Sequence, residues 1–241
     1  MDRNDPAYRG QSDYSRGLLR LYDPLVIGPI ARYVWRYPVG DHVRLYREHI
    51  RPNHLDVGPG TGYFVERAGL PAGSSVTILD PNATVLQYAA QQLRDLDVTS
   101  VQADVLKPLP TPGPFNSAAL SLVLHCLPGP MERKAVAISN VARVLAPSGV
   151  LFGASVLGRS ARHTRLGKGF LWAFNKRGAF GNLDDTEAGL RDILERSFDK
   201  VTVETVGGIA VFVATEPAVS EMAQGRSESH RYQIVTAPAS S

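Results

Sequence analysis

The chain has 241 residues, of which 44% are hydrophobic, and this size fits one domain with a substantial core. Its 26 Lys and Arg against 23 Asp and Glu leave a net charge of +3, which is weak evidence for a nucleic-acid partner. The single cysteine, Cys126, excludes an internal disulfide and favours a reducing, cytoplasmic setting. The polar N-terminus predicts no secretion signal, and no apolar run is long enough to span a membrane. We therefore expect no nucleic-acid or membrane partner, and a monomer or a homodimer.

The two ends of the chain are predicted to lie outside the folded part. Residues 1–13 predict a flexible arm, and residues 217–241 are rich in Ser, Ala and Gln and predict a mobile tail. Residues 14–216 are predicted to form a single domain. Within it we expect a helical cap over 14–50 and a long, lid-like insertion over 158–185.

After the cap, short apolar strands alternate with amphipathic helices. The predicted strands are, in order, NHLDVG, SVTILD, VTSVQADV, FNSAALSLVLH, SGVLFGASVLG, KVTVETVG and IAVFVAT. Asp41 and Asp185 are predicted to cap helices, and a further helix is predicted from Met131 to Leu145. This alternation predicts an α/β, Rossmann-like, doubly wound sheet of seven strands that is mostly parallel. The short spacing of the last two strands predicts an antiparallel C-terminal hairpin.

A glycine-rich loop in the sequence LDVGPGTGYF follows the first predicted strand. A dinucleotide site of the form G-x-G-x-x-G needs a third glycine where this chain has Tyr63, so that site is disfavoured. Asp56 precedes the glycines, and a carboxylate there would repel a pyrophosphate but attract an ammonium or a sulfonium. A P-loop is excluded because no Lys-Ser/Thr pair follows the glycines.

Two further acids close the next two predicted strands. Asp80 ends the second strand in VTILDPN, and Asp104 ends the third in VQADVL. The carboxyl ends of parallel strands meet at one edge of a sheet, so these acids and Asp56 are expected to share a crevice. The alternative is that the aspartates only cap helices, in a nucleotide-binding fold that takes no methyl donor.

Together, LDVGPGTG, Asp80 and Asp104 resemble the cofactor motifs of class I S-adenosylmethionine-dependent methyltransferases. The resemblance implies S-adenosylmethionine as the cofactor, with Asp56 and the glycines near its amino acid part, Asp80 on the ribose and Asp104 on the adenine. It implies the following cofactor-binding residues: Tyr22, Asp56, Gly58, Pro59, Gly60, Gly62, Asp80, Pro81, Asp104, Val105 and Leu122.

The fourth predicted strand ends in the sequence SLVLHCLPG, where the family places acceptor-side residues. It lacks the Asn/Asp-Pro-Pro-Tyr/Phe motif of adenine and glutamine methyltransferases, so that class is disfavoured. The Asp, Asp and Asn metal ligands of catechol-type enzymes are also not apparent in the sequence, so no metal is predicted. His125 is the predicted general base, because its ordinary pKa suits removal of a phenolic proton. The alternative is a structural histidine that packs or hydrogen-bonds to the backbone. His163 is a second choice as base.

The insertion is rich in aromatic residues and glycine, and it predicts an apolar roof over a flat substrate. The alternative is a helix that the same aromatic residues pack onto the sheet. With one tyrosine from the N-terminal cap, the predicted substrate-binding residues are Tyr14, Phe170, Trp172, Phe174, Phe180 and Asn182.

The longer pattern, from LYDPLV through LHCLPG to NKRGAFGNLDDT, resembles a group of small actinobacterial-type methyltransferases. Members of that group act on aromatic heterocycles, including hydroxyquinolone toxins. The resemblance implies transfer of a methyl group to an oxygen or a ring nitrogen of a small aromatic or heterocyclic metabolite. Two alternatives remain open: a C-methyltransferase of a quinone- or polyketide-type metabolite, and a homologue that binds the donor without catalysis.

Overall fold

A computed structural model describes residues 30–218. The predicted arm, the first part of the predicted cap and the tail beyond residue 218 lie outside the described residues, as do Tyr14 and Tyr22. Within residues 30–218, no helix has the length and apolar character needed to cross a bilayer.

The described residues form one seven-stranded sheet. Its strands are β1 (His54–Val57), β2 (Ser75–Asp80), β3 (Asp97–Gln102), β4 (Phe115–Leu120), β5 (Leu145–Val156), β6 (Phe198–Val206) and β7 (Ile209–Pro217). They are ordered β3-β2-β1-β4-β5-β7-β6. The first five strands pair in parallel, and β7 is antiparallel to both β5 and β6. The predicted fold is therefore confirmed, and it is β6 of the hairpin that forms the sheet edge.

The helices are α1 (Val39–His49), α2 (Tyr63–Ala68), α3 (Ala83–Gln92), α4 (Met131–Ala142), α5 (Arg165–Lys176) and α6 (Glu187–Glu195). Helices α1, α2 and α3 contribute to the buried cluster on one face of the sheet, and α4 and α6 contribute to the cluster on the other. Both faces are thus covered, which agrees with the burial of every residue of β1 and of all but one residue of β4.

Several predicted element boundaries are wrong. The fourth strand ends at Leu120 rather than His125, because Leu122 has φ 59° and residues Leu124–Cys126 form a 3-10 turn. Helix α1 begins two residues before Asp41, which lies in its first turn. Thr186, not Asp185, caps α6, since its hydroxyl accepts from the Gly189 N–H.

Candidate active site

The glycine loop connects β1 to α2 at the carboxyl edge of the sheet. Gly58, Gly60 and Gly62 all have positive φ, at 67°, 56° and 81°, a backbone shape that other residues adopt only with strain. A Cβ at Gly58 would lie 2.6 Å from Cγ2 of Val123, so the chain after β4 approaches the loop closely. A Cβ at Gly60 would meet no atom within 4 Å. The tip of the loop therefore faces open space, where a ligand can approach the backbone.

Asp56 is buried at the start of this loop, with 2% of its surface exposed. The Tyr46 hydroxyl of α1 lies 3.4 Å from one of its carboxylate oxygens. Burial raises the pKa of Asp56 to about 7, and the contact with Tyr46 lowers it. A neighbouring cation would stabilise the ionised form of a carboxyl group with this pKa, so the carboxyl group of Asp56 is suited to contact a cation.

Asp80 and Asp104 lie at the ends of the next two parallel strands, β2 and β3. Asp80 closes β2 and accepts a hydrogen bond from the Asn82 N–H at 2.7 Å. Burial raises the pKa of Asp80 to about 6, and that hydrogen bond lowers it. Asp104 follows β3 by two residues, and its carboxylate accepts from the Leu106 N–H at 2.9 Å. The side chain of the next residue, Val105, is buried and belongs to the main core cluster.

Leu122 lies where the chain leaves β4, beside the glycine loop. Its φ of 59° is uncommon for a residue with a branched side chain and is strained. Its N–H donates to the Ala154 carbonyl of β5 at 2.7 Å. Leu122 packs against the same apolar cluster as Phe170 and Phe180 of the insertion. The carboxyl edge of the sheet and the insertion are thus brought together at this residue.

His125 is buried in the turn after β4, and the hydrogen bond that its ring accepts disfavours a role as general base. Nδ1 of its ring accepts from the Val156 N–H at 3.2 Å. Burial, and to a smaller extent the charge of Lys134, lower the pKa of His125 to about 3. The ring is therefore neutral near pH 7, with its proton on Nε2 and its basic lone pair engaged by the strand. His125 lacks the free basic nitrogen that the predicted role requires.

His163, the second choice as base, is also held by the backbone. Nε2 of its ring lies 2.8 Å from the Gly158 carbonyl and 3.1 Å from the Leu157 carbonyl, so this nitrogen carries the proton. Nδ1 is buried and has no hydrogen-bond partner. Its ring packs edge-on against Trp35. These contacts describe a structural histidine.

Three phenylalanines of the insertion form the predicted aromatic surface. Phe174 and Phe180 are stacked with ring centroids 4.9 Å apart, and Phe170 lies 5.8 Å from Phe174. The Phe180 ring meets the His125 ring edge-on at 4.5 Å. All three are half-buried, so part of each ring stays accessible.

Two predicted substrate contacts are corrected by the structure. Trp172 lies on the outer side of α5 with 64% of its surface exposed, and the Lys176 ammonium lies over its ring. Residues two positions apart on a helix cannot share a face, so Trp172 does not join Phe170 and Phe174. Asn182 is fully buried: its amide nitrogen donates to the Val156 carbonyl, and its oxygen accepts from Asn175. Both polar atoms of the Asn182 side chain are therefore hydrogen-bonded to other residues of the protein.

Two buried polar residues of α4 had not been singled out from the sequence. Nδ2 of Asn140 donates to the carbonyls of Val105 and Lys107, both at 2.9 Å, and so fixes the turn that follows Asp104. Lys134 forms a buried ion pair with Asp185. Lys134 lies four residues before the fully buried Ile138, on the same face of the helix, and a lysine on such a face signals a buried partner.

The comparisons with known proteins agree with this geometry. Residues 55–153 match the family model described as a methyltransferase domain. The chain is 34% identical over 207 residues to demethylluteothin O-methyltransferase of Streptomyces thioluteus, covering 85% of this chain and 90% of that protein. It is 34% identical over 181 residues to N-methyltransferase vrtF of Penicillium aethiopicum, covering 73% and 74%. The N-methyltransferase NodS of Bradyrhizobium japonicum WM9, solved with S-adenosyl-L-homocysteine, has a similar fold, with TM-score 0.55, 20% identity and coverage of 74% and 86%.

The chain therefore belongs to the class I S-adenosylmethionine-dependent methyltransferases, and S-adenosylmethionine is its methyl donor. The donor supplies an activated methyl group on a sulfonium. The residues present fit it, because the open glycine loop and the buried carboxyl of Asp56 suit an approaching cation, and Asp80 offers a carboxylate to hydroxyl groups. Among residues 30–218, no group of three or more side chains is arranged to hold a metal ion.

Proposed function

We propose that this protein transfers the methyl group of S-adenosylmethionine to an oxygen or a ring nitrogen of a small planar aromatic or heterocyclic metabolite, such as a hydroxyquinolone. The observation that carries the proposal is the half-buried aromatic surface of Phe170, Phe174 and Phe180, which joins the donor edge through Leu122. Flat apolar rings stack on such surfaces, so the surface suits a planar acceptor.

The donor side would be held by the residues at the three strand ends. We assign Asp56 and the backbone of the glycine loop to the amino acid part, Asp80 to the ribose, and Asp104 with Val105 to the adenine. Asn140 supports the last of these by holding the 105–107 backbone. These contacts position the donor and exclude water, which is the main task of the protein when the methyl group is already activated.

The protonation state and the hydrogen bond of His125 limit the kind of acceptor that the protein can methylate. A neutral His125 with its Nδ1 engaged cannot take a proton from the acceptor, but its Nε2–H can donate a hydrogen bond. A general base is unnecessary when the acceptor hydroxyl ionises near neutral pH or when the nucleophile carries no proton. Acidic hydroxyl groups on heterocycles, and unprotonated ring nitrogens, meet this condition. The two relatives described above are named as an O-methyltransferase and an N-methyltransferase, which is consistent with both kinds of acceptor.

A screen of hydroxyquinolones, phenols and quinols with isotope-labelled S-adenosylmethionine, read by mass spectrometry, tests the proposal. We expect a labelled, singly methylated product from at least one hydroxylated heterocycle and faster transfer to the more acidic hydroxyl groups. Transfer only to quinols with the label on carbon would instead support a C-methyltransferase. Donor binding without transfer to any member of the panel would contradict the proposal.

A further inference from the structure

A buried ion pair joins α4 to the end of the insertion. The Lys134 ammonium contacts the Asp185 carboxylate and also donates to the Gly181 carbonyl at 2.9 Å. Lys134 is 0% exposed and Asp185 is nearly as buried. Desolvation lowers the pKa of Lys134 and raises that of Asp185, while their mutual attraction opposes both shifts.

The segment that Lys134 holds is the one that carries Phe180. The Gly181 N–H donates to the His125 carbonyl at 2.8 Å, and a Cβ at Gly181 would lie 2.6 Å from the Leu127 carbonyl. The Asp185 carbonyl in turn accepts from the Gly158 N–H at 2.8 Å. Lys134 therefore joins α4 to two residues of the insertion, Gly181 and Asp185, whose own backbone bonds reach the turn after β4 and the end of β5.

Stability alone does not account for this pair. Removing two charges from water is unfavourable, and apolar residues of similar size often serve equally well in a core. An ammonium with donors directed at both a carboxylate and a carbonyl instead fixes the geometry of the backbone around it. The backbone that it fixes places Phe180 edge-on against His125.

We propose that Lys134 is a positioning residue for the methyl acceptor: through Asp185 and the Gly181 carbonyl, it holds residues 180–185 as a fixed wall of the acceptor site. This inference rests on the proposed function, since Phe180 is assigned to the acceptor there. It also implies that the insertion does not open as a single lid, because its C-terminal end is fastened to α4 and β5. The donor side, formed by β1, β2 and β3, is independent of the pair.

The test replaces the ion pair by apolar residues in Lys134→Met/Asp185→Leu. The single variant Lys134→Met leaves Asp185 buried without its partner and is prone to misfolding, so the double variant is the main one. Asp185→Asn is a milder second variant that keeps an oxygen near the ammonium. The matched control is Lys200→Met/Glu216→Gln, which removes an exposed ion pair of the terminal hairpin. Amide hydrogen exchange is measured for residues 180–185, together with the melting temperature, the Kd for S-adenosylhomocysteine, and KM and kcat for an acceptor found in the screen.

We expect the double variant to melt no lower than the unaltered protein. Exchange at Gly181 should be at least about tenfold faster, and the acceptor KM at least about tenfold higher, with kcat changed less and the Kd for S-adenosylhomocysteine within about twofold. The control should change none of these. Unchanged exchange at Gly181, or an unchanged KM, would overturn the proposal, and so would a parallel loss of donor affinity. If the unaltered protein methylates no acceptor, the proposed function fails, but the exchange measurement still decides whether Lys134 holds the segment.

Discussion

The Val156 N–H donates a hydrogen bond to Nδ1 of His125 at 3.2 Å, between the end of β5 and the turn after β4. This bond fixes the imidazole as a neutral Nε2–H tautomer, because the lone pair of Nδ1 is engaged and burial holds the pKa of His125 at about 3. The residue predicted to remove a proton is thus a hydrogen-bond acceptor that links the turn after β4 to the end of β5.

His125→Ala should lower stability more than His125→Asn. Alanine leaves the buried Val156 N–H without its partner, which costs about 1–3 kcal/mol, whereas the amide oxygen of asparagine can accept from it. Denaturant unfolding measures the difference. Equal stability of the two variants would show that the hydrogen bond is unimportant.

The pH dependence of transfer should follow the acceptor rather than His125. The protein offers no histidine with an ordinary pKa at this position, so kcat should rise with ionisation of the acceptor hydroxyl and shift when a more acidic acceptor is used. Initial rates across a pH series with two acceptors provide the test. An inflection near pH 6.5 that is the same for both acceptors and absent from His125→Asn would restore the base role.

Donor affinity should fall as the pH is lowered. The pKa is about 7 for Asp56 and about 6 for Asp80, both raised by burial, so these groups bind protons in the free protein at mildly acid pH. A cationic donor that contacts the ionised carboxylates must displace those protons, and each group lowers affinity by up to about tenfold per pH unit below its pKa. Calorimetry at about pH 6.5 in buffers of different ionisation enthalpy should show proton release on binding. Proton uptake would contradict the assignment.

Asp80→Asn should weaken donor binding by about 1–3 kcal/mol, because it removes a charge-assisted contact to the ribose. Asp97→Asn is the control, since Asp97 is exposed at the other end of the neighbouring strand. Titration calorimetry with S-adenosylhomocysteine compares the two. Full affinity in Asp80→Asn would mean that the ribose is held elsewhere.

Gly60→Ala should weaken donor binding beyond its effect on stability. Gly60 and Gly73 both have positive φ, and a Cβ at either would meet no atom within 4 Å, so alanine should destabilise both by about 1–2 kcal/mol through backbone strain. Gly60 lies in the donor loop, whereas Gly73 lies in the turn before β2. Thermal unfolding and donor affinity are measured for both variants. Equal donor affinities would remove the loop from the binding site.

Phe180→Ala and Trp172→Ala should differ in their effect on the acceptor. Phe180 stacks on Phe174 beside His125, and its loss should raise the acceptor KM. Trp172 projects from the outer side of α5, so its loss should leave KM unchanged. Steady-state kinetics with one acceptor compare the variants, and a larger effect for Trp172 would contradict the placement of the acceptor.

The sheet could be predicted from the sequence because its strands are short segments, mostly rich in apolar or β-branched residues, that alternate with amphipathic helices. The end of β4 could not be predicted from the sequence, because the apolar run continues through Leu122. Only tertiary contacts turn the chain there: the Leu122 N–H donates to the Ala154 carbonyl, and the Val123 side chain lies close to Gly58. Part of the insertion is a helix, which was the alternative interpretation of its aromatic residues, and helical periodicity separates Trp172 from Phe170 and Phe174.

The acids at the strand ends could be located because motif spacing and strand ends are local features of the sequence. The buried polar contacts could not be predicted from the sequence, because the two partners in each contact are distant along the chain. Asp185 satisfies Lys134, 51 residues away, and Asn140 binds carbonyls 33 and 35 residues away. Only the fold brings such groups together.

Transfer of a carbon-13-labelled methyl group, followed by NMR of the isolated product, tests the central claim most directly. The unaltered protein is incubated with labelled S-adenosylmethionine and the best hydroxylated heterocycle from the screen. The account predicts that the labelled carbon is attached to oxygen or to a ring nitrogen of the product. A label on a ring carbon, or no labelled product when the donor is bound, would contradict it.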